Sequence, residues 1–431
     1  MINILYPLLM LLLLLATLPF WLWRALRTGK YRHTLRQRLG LDLPPLPPGR
    51  PRIWLHAVSV GEVMAAQGLI QQLADRFPGH AILLSTVTKT GQQIARTVPS
   101  VQASFYLPLD LPWIVRRVIR HIRPRCLIVL ETELWPALFH AMAEADIPVI
   151  LVNGRLSPRS GRRYRTIRPF MKQVLAAVRL FAMQSAGDAA RMIAIGGATE
   201  RVQVTGNLKY DQARLQPDPD KMAQLAQRLP RPQGVVWIAA STHPGEEAII
   251  LDCFQKLQHH LPDLRLILVP RHPERSDEVA ALIQRQGCSL IRFSQLDGRW
   301  TEAVLLVDGV GWLAQLYGHA DLAFVGGSLV PHGGQNMLEA ASWGLPILFG
   351  PHTFNFPEIS RQLLEAEAAI QLQHADELLP TLQILLADGA RQRHMGDRAK
   401  EVIVANAGAL ERTLQAIQSL LPPLADREPP P

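Results

Sequence analysis

Three carboxylates of this sequence follow apolar, β-branched runs, which are typical of buried strands. Glu62 comes after a strand predicted over 53–58 and a glycine, and it opens the next helix. Glu131 and Glu133 come directly after a strand predicted over 126–130. Open α/β sheets bind ligands beyond the carboxyl ends of their strands. A carboxylate at such a position can accept a proton from a substrate hydroxyl.

Each of these side chains also has a purely structural explanation. Glu62 stands in a first helical turn, where the helix dipole favours an acidic side chain that does no chemistry. Glu131 and Glu133 are costly to bury unless they are paired or functional. Capping of the next helix or pairing with arginines explains those two equally well. Lys209, behind a strand that ends at Thr205, is either a contact for an anionic group or a solvated side chain.

The C-terminal half carries residues typical of a nucleotide or phosphate site. Arg271 and His272 directly follow a predicted strand, which places a guanidinium and an imidazole at its carboxyl end. Gly333 and Gly334 precede a predicted helix, and a turn of this kind exposes backbone N–H groups to an anion. Glu339, one turn into that helix, can accept hydrogen bonds from ribose hydroxyls.

Several other kinds of site are excluded or disfavoured. Neither the dinucleotide fingerprint G-x-G-x-x-G nor the P-loop pattern G-x-x-x-x-G-K-[ST] occurs, which argues against a nicotinamide oxidoreductase and a P-loop enzyme. No cluster of His, Cys, Asp and Glu has metal-ligand spacing, so we expect no bound metal. The 3 cysteines lie far apart, which excludes a disulfide scaffold and fits a reducing compartment.

The elements that must position these residues alternate between short apolar runs and amphipathic stretches. Such alternation predicts α/β domains whose parallel sheets are built from βαβ units. A chain of 431 residues is expected to form two domains. Prolines interrupt the pattern between 211 and 234. We therefore predict an α/β domain over 50–212, a linker over 213–232, a second α/β domain over 233–421 and a disordered tail over 422–431.

Twelve strands are predicted, six in each domain. They cover 53–58, 81–86, 126–130, 148–152, 180–183 and 202–205 in the first and 235–240, 265–269, 289–293, 303–307, 322–325 and 346–349 in the second. Two domains of this kind that face each other across a cleft are suited to binding two substrates.

The basic residues are concentrated near the N-terminus. The formal net charge is +9, and residues 1–41 contain six of the basic residues and no acidic one, so the rest of the chain carries only +3. This argues against a general nucleic-acid-binding surface. A second basic segment, residues 155–172, holds seven Arg or Lys and no acidic residue. It is either a solvated helix face or, as we favour, a surface for anionic lipid headgroups or phosphates.

Residues 2–23 contain no charge, and a helix of this length covers about 33 Å, enough for a bilayer core of roughly 30 Å. Tryptophans followed by arginines at its end are typical of the cytoplasmic end of an uncleaved anchor. A buried core helix is one alternative. A cleaved signal peptide is another, but the basic segment before the apolar run and the cleavage site after it are missing. We predict a transmembrane anchor over 1–23 and a basic, proline-rich juxtamembrane spacer over 24–49.

Four motifs occur in the order found in one known family. They are His56-x-x-Ser59-Val60-Gly61-Glu62, Glu131-Thr132-Glu133-Leu134-Trp135-Pro136, Pro270-Arg271-His272-Pro273-Glu274-Arg275 and Gly333-Gly334-x-Asn336-x-Leu338-Glu339. Behind an N-terminal apolar segment they resemble the lipid A Kdo transferases. This family moves 3-deoxy-D-manno-octulosonic acid (Kdo) from CMP-Kdo to the lipid A precursor, lipid IVA, in lipopolysaccharide inner-core biosynthesis. The resemblance covers residues 6–421.

The resemblance implies a GT-B fold, in which two Rossmann-like α/β domains with parallel sheets face a central cleft behind an N-terminal transmembrane helix. The donor CMP-Kdo is expected in the C-terminal domain and the acceptor in the N-terminal one. The implied reaction is inverting, metal-independent and free of cofactors. It takes place on the cytoplasmic side of the inner membrane, whose anionic lipids are further partners, and it involves no nucleic acid.

The family's functional positions can be carried over by motif. Glu62 matches the general base, and Glu131 and Lys209 match residues that stabilise the transition state. The expected CMP contacts are Arg271, His272, Val310, Gly311, Trp312, Asn336, Met337, Leu338 and Glu339. The sequence departs from the family pattern at Trp312, where an acidic residue is expected, and at Gln335 and Met337, where His and Pro are commoner.

Two alternatives stay open on the sequence alone. Another membrane-anchored GT-B transferase that uses a UDP-sugar is the nearest enzyme. A non-catalytic lipopolysaccharide-binding scaffold is the other, although a scaffold requires neither the paired Glu131 and Glu133 nor a nucleotide site.

Overall fold

The structure is a computed structural model that describes residues 5–28, 32–215 and 219–421. The chain divides into two compact units. The first contains the residues up to Leu208 and those from Gly408 onwards, and the second contains Lys209–Ala407. Each unit is built around a seven-stranded sheet. Every strand pairing in these sheets is parallel. The predicted class, two α/β domains with parallel sheets, is confirmed.

The sheet of the first unit has the order β3-β2-β1-β4-β5-β6-β7. Its strands are β1 (Arg52–His56), β2 (Ala81–Thr86), β3 (Ala103–Tyr106), β4 (Pro124–Leu130), β5 (Val149–Gly154), β6 (Val178–Met183) and β7 (Val202–Val204). The strand order reverses between β1 and β4, and such a switch point is where doubly wound sheets bind their ligands.

In the part of the chain that the structure describes, two α-helices precede these strands, and seven lie between them. They are α1 (Leu5–Thr28), α2 (Arg32–Arg38), α3 (Val60–Arg76), α4 (Lys89–Ala95), α5 (Pro112–Ile122), α6 (Pro136–Glu144), α7 (Pro158–Thr166), α8 (Arg168–Leu175) and α9 (Ala186–Ile195). Neighbouring strand residues enter two separate apolar clusters, as Trp54 and Ile53 do. The sheet is therefore covered on both faces, which explains why its strands are almost continuously apolar.

The sheet of the second unit has the order β10-β11-β9-β8-β12-β13-β14, with its switch point between β8 and β12. Its strands are β8 (Val236–Thr242), β9 (Arg265–Pro270), β10 (Leu290–Arg292), β11 (Val304–Leu306), β12 (Leu322–Val325), β13 (Ile347–Phe349) and β14 (Ala369–Gln371). The remaining helices are α10 (Leu208–Leu215), α11 (Pro219–Arg228), α12 (Glu246–Gln258), α13 (Ser276–Arg285), α14 (Leu313–Leu316), α15 (Leu338–Ser342), α16 (Pro357–Glu365), α17 (Leu378–Ala387), α18 (Gly389–Asn406) and α19 (Ala409–Leu420).

The sequence prediction missed two strands, β3 and β14. Both lie at an edge of their sheet and contain only 4 and 3 residues. An edge strand pairs on one side only and needs no long apolar run, so its sequence signal is weak.

The segment 213–232, predicted as a linker, contributes to the second unit. Residues 216–218 lie outside the described part, but α11 follows with Pro219 in its first turn, where proline is favourable. Leu225 and Leu229 are fully buried in the core of this unit. Pro219 therefore marks the start of a helix within the segment that was predicted as a linker.

The last helix also differs from the predicted boundaries. α19, placed by sequence in the second domain, belongs to the first unit. Leu414 and Ile417 are buried in one of its apolar clusters. Arg412 Nε donates to Thr205 O at 2.9 Å, and Glu411 forms an ion pair with Arg76. The amphipathic pattern predicts that α19 is packed, but not against which sheet.

The predicted anchor over 1–23 is not supported by the structure. Within the described ranges, we find no helix whose length and apolarity are sufficient for a membrane span. Residues 1–4, residues 29–31 of the predicted spacer and the predicted tail over 422–431 lie outside those ranges.

The start of α1 is bound to the rest of the first unit by a hydrogen bond to Asp110. Tyr6 Oη donates a hydrogen bond of 2.7 Å to Asp110 Oδ2. The same buried carboxylate accepts the N–H groups of Ala137 and Leu138 at 3.0 and 2.8 Å. Asp110 thereby caps α6, the helix that follows the Glu131–Glu133 motif.

Candidate functional site

Glu62 lies in the first turn of α3, in the loop region that follows β1. Its Oε2 accepts a hydrogen bond of 2.7 Å from Val58 N, and its Oε1 accepts one of 3.2 Å from the Ser59 hydroxyl. Burial raises the pKa of Glu62 to about 7, and the nearby Glu131 and Glu133 add to the shift. A carboxyl group with a pKa near 7 is matched to proton transfer at neutral pH.

Glu131 and Glu133 follow β4, the partner of β1 across the switch point. The backbone of Glu131 is left-handed, with a φ of 56°. A side chain other than glycine adopts this conformation at an energetic cost, and such residues concentrate at functional sites. Burial raises the pKa of Glu133, and the charge of Glu131 raises it further. The structure therefore brings the three predicted carboxylates into one electrostatically coupled group.

His56, the last residue of β1, is fully buried next to this group. Its Nδ1 lies 3.1 Å from Ser85 O and 2.9 Å from Ser85 Oγ, and the carbonyl, which only accepts, favours the tautomer with the proton on Nδ1. Burial lowers the pKa of His56 to about 4, so the ring is neutral at pH 7. Its Nε2 is then an acceptor, and it has no partner among the described residues. The ring contacts Trp135 edge-on, with centroids 5.9 Å apart.

Asn153 is a further candidate that the sequence analysis missed. It lies near the carboxyl end of β5, is fully buried and has a φ of 54°. Its Oδ1 accepts a hydrogen bond of 3.1 Å from Leu208 N, while its Nδ2 has no partner within the described structure. The available signal was an Asn–Gly pair directly after an apolar strand, which is also typical of an ordinary turn.

In the second unit, Arg271 and His272 follow β9 as predicted, and both are exposed. Two histidines that sequence reasoning did not select lie beside them. The ring of His243, after β8, stacks on His332 with centroids 4.2 Å apart, and His272 meets His243 edge-on at 5.9 Å. Gln335 places its amide Nε2 3.2 Å from His243 Nε2.

The charge of this cluster favours an anion. Burial lowers the pKa of His243 to about 4, and the surrounding His332, His272, Arg271 and Arg275 act in the same direction. A neutral His243 near Arg271 and Arg275 suits hydrogen bonding to phosphate oxygens that an arginine holds. Although several histidines meet here, the described residues include no group of three or more His, Cys, Asp and Glu side chains that could hold a metal ion.

The loops of this region are held by Glu246, the first residue of α12. Its Oε2 accepts from Gly327 N at 2.7 Å and from His243 N at 2.9 Å. Its Oε1 accepts from Ser328 N at 3.0 Å and from Leu329 N at 2.9 Å. Burial raises the pKa of Glu246, while these four N–H groups favour its charged form and oppose the shift. Glu246 thus joins the loop after β8 to the loop after β12.

Glu339 and Asn336 lie together at the start of α15. Asn336 Nδ2 donates to Glu339 Oε1 at 3.2 Å. Burial raises the pKa of Glu339, and the charge of Arg271 opposes this shift. The predicted contact residues Glu339 and Arg271 therefore belong to one region. The side chains of Met337 and Leu338 are fully buried in the core, which leaves only their main chain to face a ligand.

The glycine turn before α15 is only partly available for an anion. Gly334 has a φ of 77°, which glycine adopts easily, and its N–H is bound to Gly327 O at 2.7 Å. The sequence predicts exposed backbone N–H groups at this turn, but the N–H of Gly334 is not one of them. Those of Gln335 and Asn336 donate no hydrogen bond within the described structure.

The predicted contacts Val310, Gly311 and Trp312 lie in the loop after β11, the strand beside β9. Val310 is 79% exposed. Trp312 packs on Phe293 with ring centroids 5.3 Å apart. Its ring is therefore held by the protein itself, and only the exposed part of the loop can meet a nucleotide.

Lys209 lies at the start of α10, in the second unit, whereas Glu62 and Glu131 belong to the first. Its Nζ is 5.4 Å from the centroid of the Phe356 ring, a cation–π distance. Within each unit, the predicted residues thus lie at strand ends or helix starts, as the motifs indicated.

The chain is similar to known proteins in both sequence and fold. Residues 33–212 match the family described as 3-Deoxy-D-manno-octulosonic-acid transferase (kdotransferase). A 3-deoxy-D-manno-octulosonic acid transferase of Haemophilus influenzae is 38% identical over 403 residues, which cover 92% of this chain and 93% of that protein. The protein of the same name from Bordetella pertussis is 35% identical over 417 residues, with 93% and 95% covered.

The fold is similar to that of UDP-GlcNAc 2-epimerase from Neisseria meningitidis bound to UDP-GlcNAc. The TM-score is 0.59 at 14% identity, and 85% of this chain and 100% of that one are covered. Two parallel-sheet α/β domains of this kind resemble the GT-B class of fold. Within that class, the chain belongs to the 3-deoxy-D-manno-octulosonic acid transferase family. The resemblance found in the sequence is confirmed, and the protein is a glycosyltransferase.

Proposed function

We propose that this enzyme transfers Kdo from CMP-Kdo to lipid IVA, with inversion of configuration and Glu62 as the general base. The observation that carries the proposal is the state of Glu62. Its carboxyl group lies at the switch point of the first sheet, has a pKa of about 7 and accepts only two hydrogen bonds from the described residues. Such a group can accept a proton from a sugar hydroxyl.

The proposed reaction is a single displacement at the anomeric carbon of Kdo. Glu62 takes the proton of the acceptor hydroxyl, the hydroxyl oxygen bonds to the anomeric carbon, and the bond from that carbon to CMP breaks on the opposite face. Positive charge develops on the sugar in such a transition state. A nearby carboxylate stabilises it, and we assign this role to Glu131. Lys209 is assigned to an anionic group of the donor.

The departing CMP takes a negative charge on its phosphate, and we propose that Arg271 and His272 stabilise this charge. Their place after β9, beside His243 and His332, supports the assignment. A guanidinium and aligned N–H groups can stabilise a developing oxyanion without a metal. A monophosphate also needs less neutralisation than a diphosphate. We therefore propose a metal-independent reaction without a cofactor.

We also propose that the enzyme works at the cytoplasmic side of the inner membrane and contacts its anionic lipids. The acceptor is a lipid, and Leu8, Leu9 and Leu12 of α1 are exposed. The basic residues between 24 and 38 would meet acidic headgroups. Fractionation of cells is the check: recovery of the native chain in the high-speed supernatant at low salt would contradict this localisation.

The decisive experiment combines the purified chain with CMP-Kdo and tetraacylated lipid IVA. Mass spectrometry should show the acceptor heavier by one or more Kdo residues, and NMR should show the inverted anomeric configuration. EDTA should leave the rate unchanged. CMP, but not UDP, should raise the melting temperature. Product formation from a UDP-sugar, retention of configuration, or a strict need for added Mg²⁺ would contradict the corresponding part of the proposal.

A further inference from the structure

A cavity outside the residues described above lies between α7 and α9 in the first unit. Its volume is about 190 Å³, and it is lined by Pro158, Gly161, Arg162, Arg165, Arg191 and Ala194. A water molecule takes up about 30 Å³ in the liquid, so there is room for an oxyanion of several heavy atoms. Three of the six lining residues are arginines.

Arg162 and Arg165 supply two of the charges. They stand three residues apart on α7, and residues at this spacing lie on one face of a helix. Both are exposed, and neither has an ion-pair or hydrogen-bond partner among the residues that the structure describes. Their guanidinium groups repel each other, and an anion between them removes this repulsion.

Arg191 of α9 supplies the third charge in a fixed orientation. Its Nη2 donates to Asp188 Oδ1 at 2.8 Å, and its Nε donates to Leu156 O at 2.5 Å. Asp188 is buried and also accepts from Leu156 N and the Ser185 hydroxyl, so it is itself held in place. The Nη1 of Arg191 makes no hydrogen bond within the described structure and remains for a ligand.

Gly161 of α7 lies beside the stem of Arg191. A Cβ on Gly161 would lie 3.4 Å from Cδ of Arg191. The stem of Arg191 therefore lies directly against α7. Among the described residues, Asp188, which pairs with Arg191, is the one carboxylate paired with any of these three arginines, and no acidic side chain lines the cavity, which therefore keeps a net positive charge.

We infer that this cavity is a binding site for a phosphate monoester. At neutral pH such a group is close to a dianion with three terminal oxygens, which matches three guanidinium groups better than a phosphodiester with one charge and two free oxygens does. Arginine is the residue best suited to phosphate oxygens because its planar N–H groups pair with two of them at once.

The source of the phosphate is the glycolipid acceptor, an assignment that rests on the proposed function. Lipid IVA carries phosphomonoester groups, whereas phosphatidylglycerol of the surrounding bilayer is a diester. The site would hold the acceptor in position while the acceptor hydroxyl reacts at Glu62. It should therefore affect acceptor binding and leave the donor and the chemical step unchanged.

The test compares two double variants of α7 that remove the same charge. R162A/R165A empties the cavity of its two exposed arginines, whereas the control R159A/R163A removes two exposed arginines that do not line it. In non-ionic detergent, the first should raise the acceptor KM by about tenfold or more, because charge-assisted hydrogen bonds are lost. The kcat and the KM for CMP-Kdo should not change. The control should stay within about twofold.

A second comparison uses acceptor from which the phosphate groups have been removed enzymatically. With this substrate, the wild-type KM should rise towards that of R162A/R165A, and the variant should show no further loss. Equal KM values for both double variants with the phosphorylated acceptor would overturn the site. A loss of binding to phosphatidylglycerol vesicles without any change of KM in detergent would assign the arginines to the bilayer and overturn it as well.

Direct binding separates this site from the proposed function. Phenyl phosphate should bind the wild type more tightly than R162A/R165A or R191K, and the latter keeps the charge next to Asp188. If the chain does not turn over CMP-Kdo and lipid IVA but this difference persists, the proposed function fails and the phosphate site stands. Equal affinities of phenyl phosphate for all three proteins would refute the site whatever the activity.

Discussion

Glu62 and Glu246 occupy equivalent places in the two units. Each follows the strand of its sheet at the switch point, β1 or β8, and comes directly after a glycine in the first turn of the next helix. Burial raises the pKa of both carboxyl groups. From the local sequence, the two residues have the same claim to a catalytic role.

Their surroundings differ because the neighbouring strand brings a different loop. After β12, backbone N–H groups turn towards Glu246 and, with His243 N, supply four hydrogen bonds. After β4, Glu131 and Glu133 approach Glu62, and within the described structure Glu62 accepts hydrogen bonds only from its own loop. A carboxylate whose oxygens accept several hydrogen bonds stabilises the loops around it. A carboxylate beside like charges is ready to accept a proton. The facing loop, and not the motif, therefore gives the two glutamates their different surroundings.

The largest effect should come from Glu62→Gln, which keeps the shape of the side chain but removes the base. Transfer should fall by about 10²–10⁴-fold or more, because proton abstraction from the acceptor hydroxyl is lost. Steady-state kinetics with CMP-Kdo measure this, and unchanged CMP binding shows that the second unit is intact. Turnover close to that of the wild type would remove Glu62 from the mechanism.

Glu246→Gln is the matched substitution in the second unit and should act on stability. The amide NH₂ cannot accept a hydrogen bond, so at least one buried N–H donor of the loops loses its partner. We expect a loss of about 1–3 kcal/mol in the free energy of unfolding, measured by urea denaturation. If Glu246→Gln were as stable as the wild type but inactive, the distinction between the two glutamates would be wrong.

The pH dependence sharpens the assignment of Glu62. Its pKa is raised to about 7, so the carboxyl group is protonated below this pH and cannot accept a proton. The rate should therefore fall about tenfold per pH unit below pH 7. The residual activity of Glu62→Gln should not show this decrease below pH 7. A wild-type profile that stays flat down to pH 5 would show that another group is the base.

The smallest expected effect is a stabilisation. Because the pKa of Glu62 is raised in the folded protein, its protonation favours the fold at low pH, and this contribution is lost as the pH rises through about 7. At pH 8, Glu62→Gln avoids burying a charge, and we expect its melting temperature to exceed that of the wild type by about 2–4 °C. At pH 4 the two should melt alike. A lower melting temperature at pH 8 would indicate that Glu62 supports the fold.

The positions of most site residues were predictable because strand ends and helix starts leave local signals. Glu62, Glu131, Arg271 and Glu339 were found in this way. His243 and Glu246 carried a similar signal, His-Pro-Gly-Glu after an apolar run, and were overlooked. Asn153 carried only an Asn–Gly pair, which is equally typical of an ordinary turn, and Arg191 carried no signal. A buried amide without a partner among the described residues and an arginine in a helix become notable only through what surrounds them.

The sequence by itself determined the class of fold and the family. Continuous apolar strands alternating with amphipathic helices require parallel sheets covered on both faces, and short motifs at strand ends are local in the chain. Only the tertiary structure decided that α19 belongs to the first unit, that α11 is part of the second core and that Gly334 donates to Gly327. It also decided which glutamate is satisfied and which is not. These outcomes depend on contacts between segments far apart in the chain, and the periodicity of one segment carries no information about its partner.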